Sequence, residues 1–170
     1  MPHFQIHIAK QYLSFSAAHF ITYDGHKCET LHGHNYRVRR RLAGSLDENY
    51  YVIDFTQVKK LMKGLCDALD HRMLLPQHNP ILELQLDSDS ITVRYKHRQF
   101  VFPREDVLLL PIPNTTAEML AQYLCGQALT ALREMSPAPL AWVELEVEEA
   151  PGQSAVYREE FEKPSVTSGQ

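Results

Sequence analysis

An alternating run from residue 32 to residue 44 is the feature that most constrains how this chain folds. One face of the run carries His32, His34, Tyr36, Val38 and Leu42, and the other carries Asn35, Arg37, Arg39 and Arg41. Successive side chains of a β-strand point to opposite sides of the sheet, so this pattern predicts a long strand. We expect the first face to be directed inward and the second to form a cationic outer surface.

Two segments have the apolar spacing of amphipathic helices. The first is predicted to begin at Asp54, which can cap free N–H groups, with Gln57 at the capping-box position. The second is predicted to begin at Thr115, three residues before Glu118, and to end in the proline-containing segment 137–139. Both helices are therefore predicted from boundary residues as well as from apolar spacing.

The remaining regular segments have the alternation of strands. Residues 3–20 alternate in two phases, which predicts two strands with a bend near Lys10. Residues 140–149 and 154–162 predict two more strands separated by a turn. Strands before, between and after two helices are typical of an α+β domain with an antiparallel β-sheet.

A segment between the two helices, residues 77–113, predicts an inserted β-hairpin. Its apolar runs at 91–93 and 99–102 lie between prolines. We interpret residues 1–163 as one domain that carries this insert, and residues 164–170 as a disordered tail.

Charge and composition exclude several classes of protein. The 170 residues include 17 Lys and Arg against 21 Asp and Glu, so the net charge of −4 lacks the basic excess of a dedicated nucleic-acid binder. No apolar run approaches the roughly 20 residues of a membrane span, and the N-terminus lacks the pattern of a secretory signal. We therefore expect a cytoplasmic protein whose 3 cysteines form no disulfide framework.

Three histidines form a candidate metal site. His32 and His34 are separated only by Gly33, so both imidazoles point to one face of the strand, about 7 Å apart. His19 ends the preceding alternating run, and antiparallel pairing would bring it beside them. Three neutral imidazoles suit zinc (Zn2+) and leave its fourth position open, as in catalytic sites. Ordinary hydrogen-bonded histidines are the alternative, whereas a cupin site is disfavoured because residues 35–39 contain no glutamate.

The three cysteines fall into two groups. Cys28 lies four residues before His32 in a polar loop. A thiol near zinc and histidine has a lowered pKa and can act as a base or nucleophile. A metal ligand or an inert loop thiol explains this spacing equally well. Cys66 and Cys125 fall within the helical segments, where they are expected to act as small buried hydrophobic side chains.

Two acidic positions are candidates for proton transfer and ligand binding. Asp70 precedes His71 at the end of the first helix, where the carboxylate can orient the imidazole, although a histidine there also interacts favourably with the helix dipole. Glu149 follows a strand whose glutamates at 144, 146 and 148 are expected on the solvated face, so Glu149 itself falls on the buried side. It then needs a partner, either a ligand with paired N–H groups or a structural salt bridge.

Several motifs recur in a fixed order from about residue 4 to residue 160. They are residues 15–19 (FSAAH), 28–36 (CETLHGHNY), 69–71 (LDH) and 115–118 (TTAE), together with Glu149 and Tyr157. In combination they resemble the 6-pyruvoyl-tetrahydropterin synthase and 6-carboxytetrahydropterin synthase superfamily.

The resemblance implies a role for each site residue. It implies zinc on His19, His32 and His34, Cys28 as the proton-abstracting thiolate, Asp70 with His71 as a second acid/base unit, and Glu149 with Thr116 as the anchor of the pterin ring. It also implies the tunnelling fold (T-fold), in which two helices pack on one face of an antiparallel sheet. Family members assemble as trimers that stack into hexamers, with sites between subunits. In such an assembly the arginine face of the strand lines the trimer barrel; contact with substrate phosphates is the second interpretation.

The implied substrate is 7,8-dihydroneopterin triphosphate, from which family members form different products. These are 6-carboxytetrahydropterin, used in queuosine synthesis, the 6-pyruvoyl product, and 6-hydroxymethyl-dihydropterin for folate-type cofactors. The Cys-x-x-x-His-Gly-His spacing resembles the carboxytetrahydropterin type, which we favour.

Two departures from that type leave the product open. Glu29 directly follows Cys28, where the folate-bypass members carry a catalytic glutamate, so this chain has both catalytic residues; a solvated loop carboxylate is the alternative. The insert at 77–113 is absent from the compact members. A pterin- or purine-binding zinc protein without catalysis is the remaining alternative of a different class.

Overall fold

The structure is a computed structural model that describes residues 4–136 and 138–161. Its strands are β1 (Phe4–Ile8), β2 (Ser14–His19), β3 (Thr22–Tyr23), β4 (Lys27–Cys28), β5 (His32–Gly44), β6 (Arg72–Pro76), β7 (Glu83–Leu86), β8 (Ser90–Tyr95), β9 (Arg98–Pro103), β10 (Val107–Leu110), β11 (Leu140–Ala150) and β12 (Gln153–Glu160), and its helices are α1 (Phe55–Leu69) and α2 (Ala117–Met135). The tail predicted at 164–170 and the helix-ending Pro137 lie outside the described residues.

One large sheet, in the order β10-β6-β2-β5-β11-β12, forms the body of the molecule. The long strand β5 organises it, because β2 and β1 pair with successive parts of one edge while β11 pairs with the other edge. All of these pairs are antiparallel, as predicted. The pairs β2–β6 and β6–β10 are parallel, which was not predicted. Parallel neighbours need a long crossover, and α1 and the insert provide these connections.

Both helices begin at side-chain caps. Asp54 caps α1 as predicted, because its carboxylate accepts a hydrogen bond from the Thr56 N–H at 2.7 Å. The predicted start of α2 at Thr115 is wrong by one residue, since Thr116 is the cap. Thr115 is fully buried, and its hydroxyl instead donates to the Phe20 carbonyl at 3.2 Å. Thr115 therefore ties the start of α2 to the end of β2.

The main core lies between the sheet and the two helices. α1 packs against β2 and α2, and α2 packs against β11 and β12. Cys66 and Cys125 are buried in this core, as expected, and burial raises the pKa of Cys66 to about 12. Arg40 is also fully buried there, on the apolar face of β5, and its guanidinium nitrogens have no hydrogen-bond partner among the described residues. Burial lowers the pKa of Arg40 to about 10, and Cys125 acts against this shift.

The other face of β5 carries arginines, as the alternation predicts, and two of them are paired with carboxylates. Its arginines form an ion-pair ladder with β11 and β12, in which Arg39 pairs with Glu146 and Glu148, while Arg41 and Arg158 pair with Glu144. Glu144 and Glu148 are only 7% and 8% exposed, so the glutamate face expected to be solvated is largely covered. The sequence of β5 alone does not reveal these partners because they come from strands more than 100 residues away.

The insert forms a second, three-stranded antiparallel sheet, β7-β8-β9. The predicted hairpin corresponds to β8 and β9, whereas β7 was not predicted. This sheet covers a small second core whose buried members are Phe20, Met73, Leu75, Leu82, Ile91, Val93 and Tyr95. Because Phe20 follows β2 and Met73 lies on β6, the insert is packed directly onto the main sheet beside the histidines.

Within the described residues, neither helix is both long and apolar enough to cross a membrane.

Candidate active site

The register of β2 and β5 brings the three predicted metal-binding histidines together. His19 lies opposite His32, and Ala17 lies opposite His34. The His19 ring centroid is 4.7 Å from that of His32 and 5.2 Å from that of His34, and one nitrogen from each ring lies within 4.8 Å of the others. Three imidazole nitrogens at this separation can share one metal ion.

The hydrogen bonds of His19 and His32 to backbone carbonyls use one nitrogen of each ring and leave the second without a backbone partner. His19 Nδ1 is 3.0 Å from the Thr115 carbonyl, and His32 Nδ1 is 2.8 Å from the Thr30 carbonyl, so each Nδ1 donates and Nε2 keeps its lone pair. His34 Nε2 is buried and has no hydrogen-bond partner among the described residues. An orphaned ring nitrogen beside two lone pairs fits a metal that prefers nitrogen ligands, such as zinc.

Burial keeps His19 in the form that binds metal. Its side chain is only 1% exposed, and this burial, reinforced by His32 and His34, lowers the pKa of His19 to about 4. A neutral imidazole is the metal-binding form. The Tyr36 hydroxyl lies 3.1 Å from His19 Nε2, and burial raises the pKa of Tyr36, so it remains a protonated donor. Sequence reasoning assigned no role to Tyr36, although its parity with His32 and His34 placed it on the same face.

Cys28 and Glu29 are turned in different directions. The Glu29 Oε2 atom lies 3.9 Å from His32 Nε2 and accepts a hydrogen bond from the Ile21 N–H at 3.3 Å. The Cys28 side chain packs against the core of the insert, and its thiol donates to the Glu29 carbonyl at 3.5 Å. Burial raises the pKa of the Cys28 thiol, and Arg98 acts against this shift. The Glu29 carboxylate thus lies beside His32, whereas the Cys28 side chain is packed with the insert.

Asp70 and His71 form a hydrogen-bonded pair at the end of α1. His71 Nδ1 lies 2.9 Å from Asp70 Oδ2, while Asp70 Oδ1 accepts a 2.7 Å hydrogen bond from the Ser16 N–H. The Ser16 hydrogen bond, followed by His71, lowers the pKa of Asp70. His71 has a left-handed backbone with φ of 56°, an unusual conformation for a residue with a side chain, and its imidazole is 83% exposed. It lines a cleft of about 560 Å³ together with His34.

Glu149 stands at the junction of two smaller clefts. The register of β11 and β12 shifts between Glu148 and Ala150, and this irregularity directs Glu149 toward the histidines. Its Oε1 atom lies 3.7 Å from His34 Nε2. One cleft, of about 360 Å³, is lined by Glu149, His34 and Arg37, and another, of about 380 Å³, by Glu149 and Thr116. The three clefts adjoin one another, because the 560 Å³ and 360 Å³ clefts share His34 and the 360 Å³ and 380 Å³ clefts share Glu149; together they are called the groove.

The position of Glu149 differs in part from expectation. Its side chain is 28% exposed rather than fully buried, and it borders open clefts. Among the described residues its nearest basic neighbour is a histidine of the cluster, not a lysine or arginine. A half-buried carboxylate without a cationic partner can accept hydrogen bonds from a ligand.

Comparisons with known proteins agree with this geometry. A family model described as 6-pyruvoyl tetrahydropterin synthase matches residues 7–160. A Methanocaldococcus jannaschii protein provisionally named 6-carboxy-5,6,7,8-tetrahydropterin synthase is 37% identical over 152 residues, which cover 88% of this chain and 92% of that protein. The Haemophilus influenzae 6-carboxy-5,6,7,8-tetrahydropterin synthase is 32% identical over 124 residues, covering 69% and 77% of the two chains.

Solved structures extend the likeness to the fold. The 6-pyruvoyl tetrahydropterin synthase of Plasmodium vivax superposes with a TM-score of 0.86 at 30% identity, covering 95% of this chain and 100% of that one. Another structure of the P. vivax enzyme is a variant in which a glutamate described as a catalytic residue is replaced by alanine. This likeness confirms the predicted α+β tunnelling fold.

Proposed function

The chain belongs to the 6-pyruvoyl tetrahydropterin synthase family of pterin-processing enzymes, and from this premise we propose that it is a zinc-dependent lyase acting on 7,8-dihydroneopterin triphosphate. The product we favour is 6-carboxy-5,6,7,8-tetrahydropterin, the product in the names of the M. jannaschii and H. influenzae relatives. From the family resemblance we also propose a role in queuosine synthesis. The observation that carries the proposal is the cluster of three imidazole nitrogens within 4.8 Å of one another, with the Glu149 carboxylate 3.7 Å from one of the three rings, that of His34.

His19, His32 and His34 would hold the metal through nitrogens that no hydrogen bond to the backbone occupies. Zinc held there would supply a Lewis acid for the substrate side chain. Glu149, whose Oε1 atom lies 3.7 Å from His34 Nε2, would accept two parallel hydrogen bonds from the 2-amino group and N3 of the pterin ring. Thr116 lines the same cleft and helps to fix the ring in one orientation. The side chain of the substrate then extends past His34 toward His71.

Two acid/base units border that path. Asp70 accepts the Nδ1 hydrogen of His71, which orients the imidazole and leaves Nε2 to give or take a proton at the substrate side chain. Cys28 is the second unit, as the thiolate that removes a proton from the carbon next to the polarised oxygen. Burial works against this thiolate, and the positive charge of Arg98 favours it.

A second candidate activity uses Glu29 in place of Cys28 and releases 6-hydroxymethyl-dihydropterin. The separation of 3.9 Å between Glu29 Oε2 and His32 Nε2 favours it, since the thiol is turned toward the insert. The catalytic glutamate of the P. vivax enzyme is a further support. Elimination of triphosphate to the 6-pyruvoyl product is the third outcome of the same chemistry.

The test is incubation of zinc-loaded protein with 7,8-dihydroneopterin triphosphate, followed by identification of products by mass spectrometry. We expect 6-carboxytetrahydropterin as the main product together with a smaller amount of 6-hydroxymethyl-dihydropterin, and the latter is expected to disappear in the Glu29→Gln variant. Glu105→Gln, which changes an exposed carboxylate in the short 3-10 helix after β9, is the matched control. Failure to convert any dihydroneopterin derivative contradicts the enzymatic proposal, and tight pterin binding without product supports the inactive binder.

We also propose that the protein assembles as a hexamer, a dimer of trimers, in the cytoplasm. Strand β12 stands at the end of the main sheet, so its outer edge is available for pairing with another subunit. Three cysteines without a disulfide suit a reducing compartment. Light scattering coupled to size-exclusion chromatography measures the assembly, and a monomeric mass contradicts it.

A further inference from the structure

The insert hairpin contacts the segment that carries Cys28 and Glu29. Arg98 Nη1 donates to the Cys28 carbonyl at 3.1 Å and to the Glu29 carbonyl at 2.9 Å. Next to it, Lys96 Nζ donates to the His26 carbonyl at 3.1 Å, and the Tyr95 hydroxyl donates to the same oxygen. All three donors lie at the turn between β8 and β9, so the tip of the insert holds this segment through its backbone.

The segment has little backbone support of its own. Its strand, β4, has only two residues and pairs only with β3, which is equally short. After β4, the Glu29 N–H donates to the Ile21 carbonyl at 3.0 Å, and β5 begins at His32. Regular strand pairing therefore contributes little to where the side chains at 28 and 29 point.

Arg98 forms its hydrogen bonds at the point where the chain turns. Successive carbonyls of a strand point to opposite sides, yet the carbonyls of Cys28 and Glu29 converge on one guanidinium nitrogen. On the far side of this turn Glu29 approaches His32, while Cys28 packs against the insert. The guanidinium itself stacks over the Phe100 ring at 5.1 Å and forms no ion pair within the described residues. Its hydrogen bonds are thus directed to the turn rather than to a carboxylate.

From these contacts we infer that Arg98 is a positioning residue that sets the balance between Glu29 and Cys28 at the metal site. Holding both carbonyls fixes the turn in which Glu29 faces His32 and the thiol faces away. Release of the turn lets residues 28 and 29 rotate, and the thiol gains access to the groove. This inference rests on the proposed function in its two-product form, and it gives the insert a role in selecting the acid/base group.

The first test is the product ratio of zinc-loaded Arg98→Ala protein. We expect the ratio of 6-hydroxymethyl-dihydropterin to 6-carboxytetrahydropterin to fall about tenfold, because loss of two charge-assisted hydrogen bonds releases the turn. Loss of the Arg98 charge by itself would disfavour the Cys28 thiolate and raise the ratio, so a rise contradicts the inference. The ratio is formed by active molecules only, so a lower folded fraction does not change it. Arg98→Lys keeps the charge and is expected to restore part of the wild-type ratio. Arg94→Ala is the matched control, since Arg94 is an exposed arginine of the same hairpin that bonds to Gln85 and Gln99.

The second test needs no turnover. Hydrogen exchange of the full chain, followed by mass spectrometry of peptides covering residues 26–31, is expected to accelerate about tenfold in Arg98→Ala and to remain unchanged in Arg94→Ala. Peptides of α1 provide the internal reference for global opening. If exchange in α1 accelerates as well, Arg98→Ala has loosened the whole domain. The product ratio and the exchange rate at residues 26–31 are then measured in Arg98→Lys, and these two results decide whether Arg98 holds the turn.

The outcomes separate the two proposals. Unchanged exchange at 26–31, faster exchange with an unchanged product ratio, or a wild-type protein that forms only the Cys28-dependent product each overturns the role of Arg98. Absence of any pterin turnover overturns the proposed function instead, while hydrogen exchange still reports whether Arg98 holds the turn.

Discussion

The two walls of the candidate site are built by different means. The histidine wall, made by His19 on β2 with His32 and His34 on β5, is fixed by a continuous antiparallel ladder. Behind it the Phe15 and Tyr36 rings stack at 4.7 Å in the main core. The turn wall, residues 26–29, is held by side chains of an insert about 70 residues further along the chain.

This difference separates two roles within the site. A ladder that also holds the main sheet together cannot shift without disturbing the fold, so the histidine wall is suited to hold a metal at constant geometry. Side-chain hydrogen bonds from a separate hairpin can change while the main sheet stays intact. Metal binding and the choice of proton-transfer group can therefore vary independently.

The largest effect is expected from breaking the histidine wall. His34→Ala removes the ligand whose Nε2 has no other partner, so metal affinity is expected to fall by at least about 100-fold and turnover by at least as much as on loss of a general base, about 10²–10⁴-fold. Metal content by mass spectrometry and turnover with excess zinc measure the two losses. His26→Ala, which removes an exposed imidazole that bonds to the Asp24 carbonyl, is the control and is expected to keep its metal. Full metal content in His34→Ala would show that the ladder does not build the metal site.

A substitution in the turn wall is expected to lower turnover and to leave the metal content unchanged. Cys28→Ala is predicted to lower formation of 6-carboxytetrahydropterin about 10²–10⁴-fold, the usual contribution of a positioned acid or base, with zinc content unchanged. Cys66→Ala removes a thiol from the main core and serves as the comparison. Loss of zinc from Cys28→Ala would instead identify Cys28 as a metal ligand. The turn wall would then be part of the metal site.

A pH titration of metal-free protein probes how deeply the histidine wall is buried. His19 has a pKa of about 4 in the folded chain against 6.5 when unfolded, so between these values the unfolded state binds more protons. The free energy of unfolding is therefore expected to fall by up to about 3 kcal/mol as the pH drops from 6.5 to 4. Urea unfolding at several pH values measures it. In His19→Gln this fall in the free energy of unfolding with pH is expected to be absent. An equal pH dependence in both proteins would contradict the assignment to His19.

The smallest effect is expected at Gly33, where the ladder is tightest. A Cβ added there would lie 3.0 Å from the Ala17 carbonyl oxygen, so β2 and β5 must move apart by a few tenths of an ångström. We expect Gly33→Ala to lower the free energy of unfolding by about 1–2 kcal/mol and to weaken metal binding. Gly64→Ala, in α1 with open space around it, is the control and is expected to stabilise the protein by about 0.5–1 kcal/mol. Equal effects of the two variants in chemical unfolding would argue against a tight ladder.

The difference between local patterns and contacts with distant segments also determines which features the sequence predicts. Alternation placed His32, His34 and Tyr36 on one face of β5, and the cap at Asp54 is a local hydrogen bond, so both could be predicted from neighbouring residues. The contacts of Arg98 with residues 28 and 29 join two segments that share no local pattern. Arg40 breaks the apolar pattern of β5, and only the packing of α2 reveals its burial.

The bulge beside Glu149 and the start of α2 show the same limit at shorter range. A register shift between Glu148 and Ala150 depends on how β11 meets β12, which strict alternation does not describe. Thr115 and Thr116 are both suitable caps by residue type, and the buried hydrogen bond from Thr115 to Phe20 decides between them. In each case a partner distant in sequence overrides the local preference.

The ion-pair ladder on the other face of the main sheet has a thermal consequence. Arg39 is shared by two carboxylates, and Glu144 is shared by two arginines, so the charges act as a network rather than as isolated pairs. Hydration of charged groups becomes less favourable as temperature rises, which lowers the cost of keeping these side chains away from water. The ladder therefore contributes more to the stability of the protein at high temperature than at low temperature. On heating, it opposes separation of β5, β11 and β12 most strongly around Arg39 and Glu144, where charges are shared.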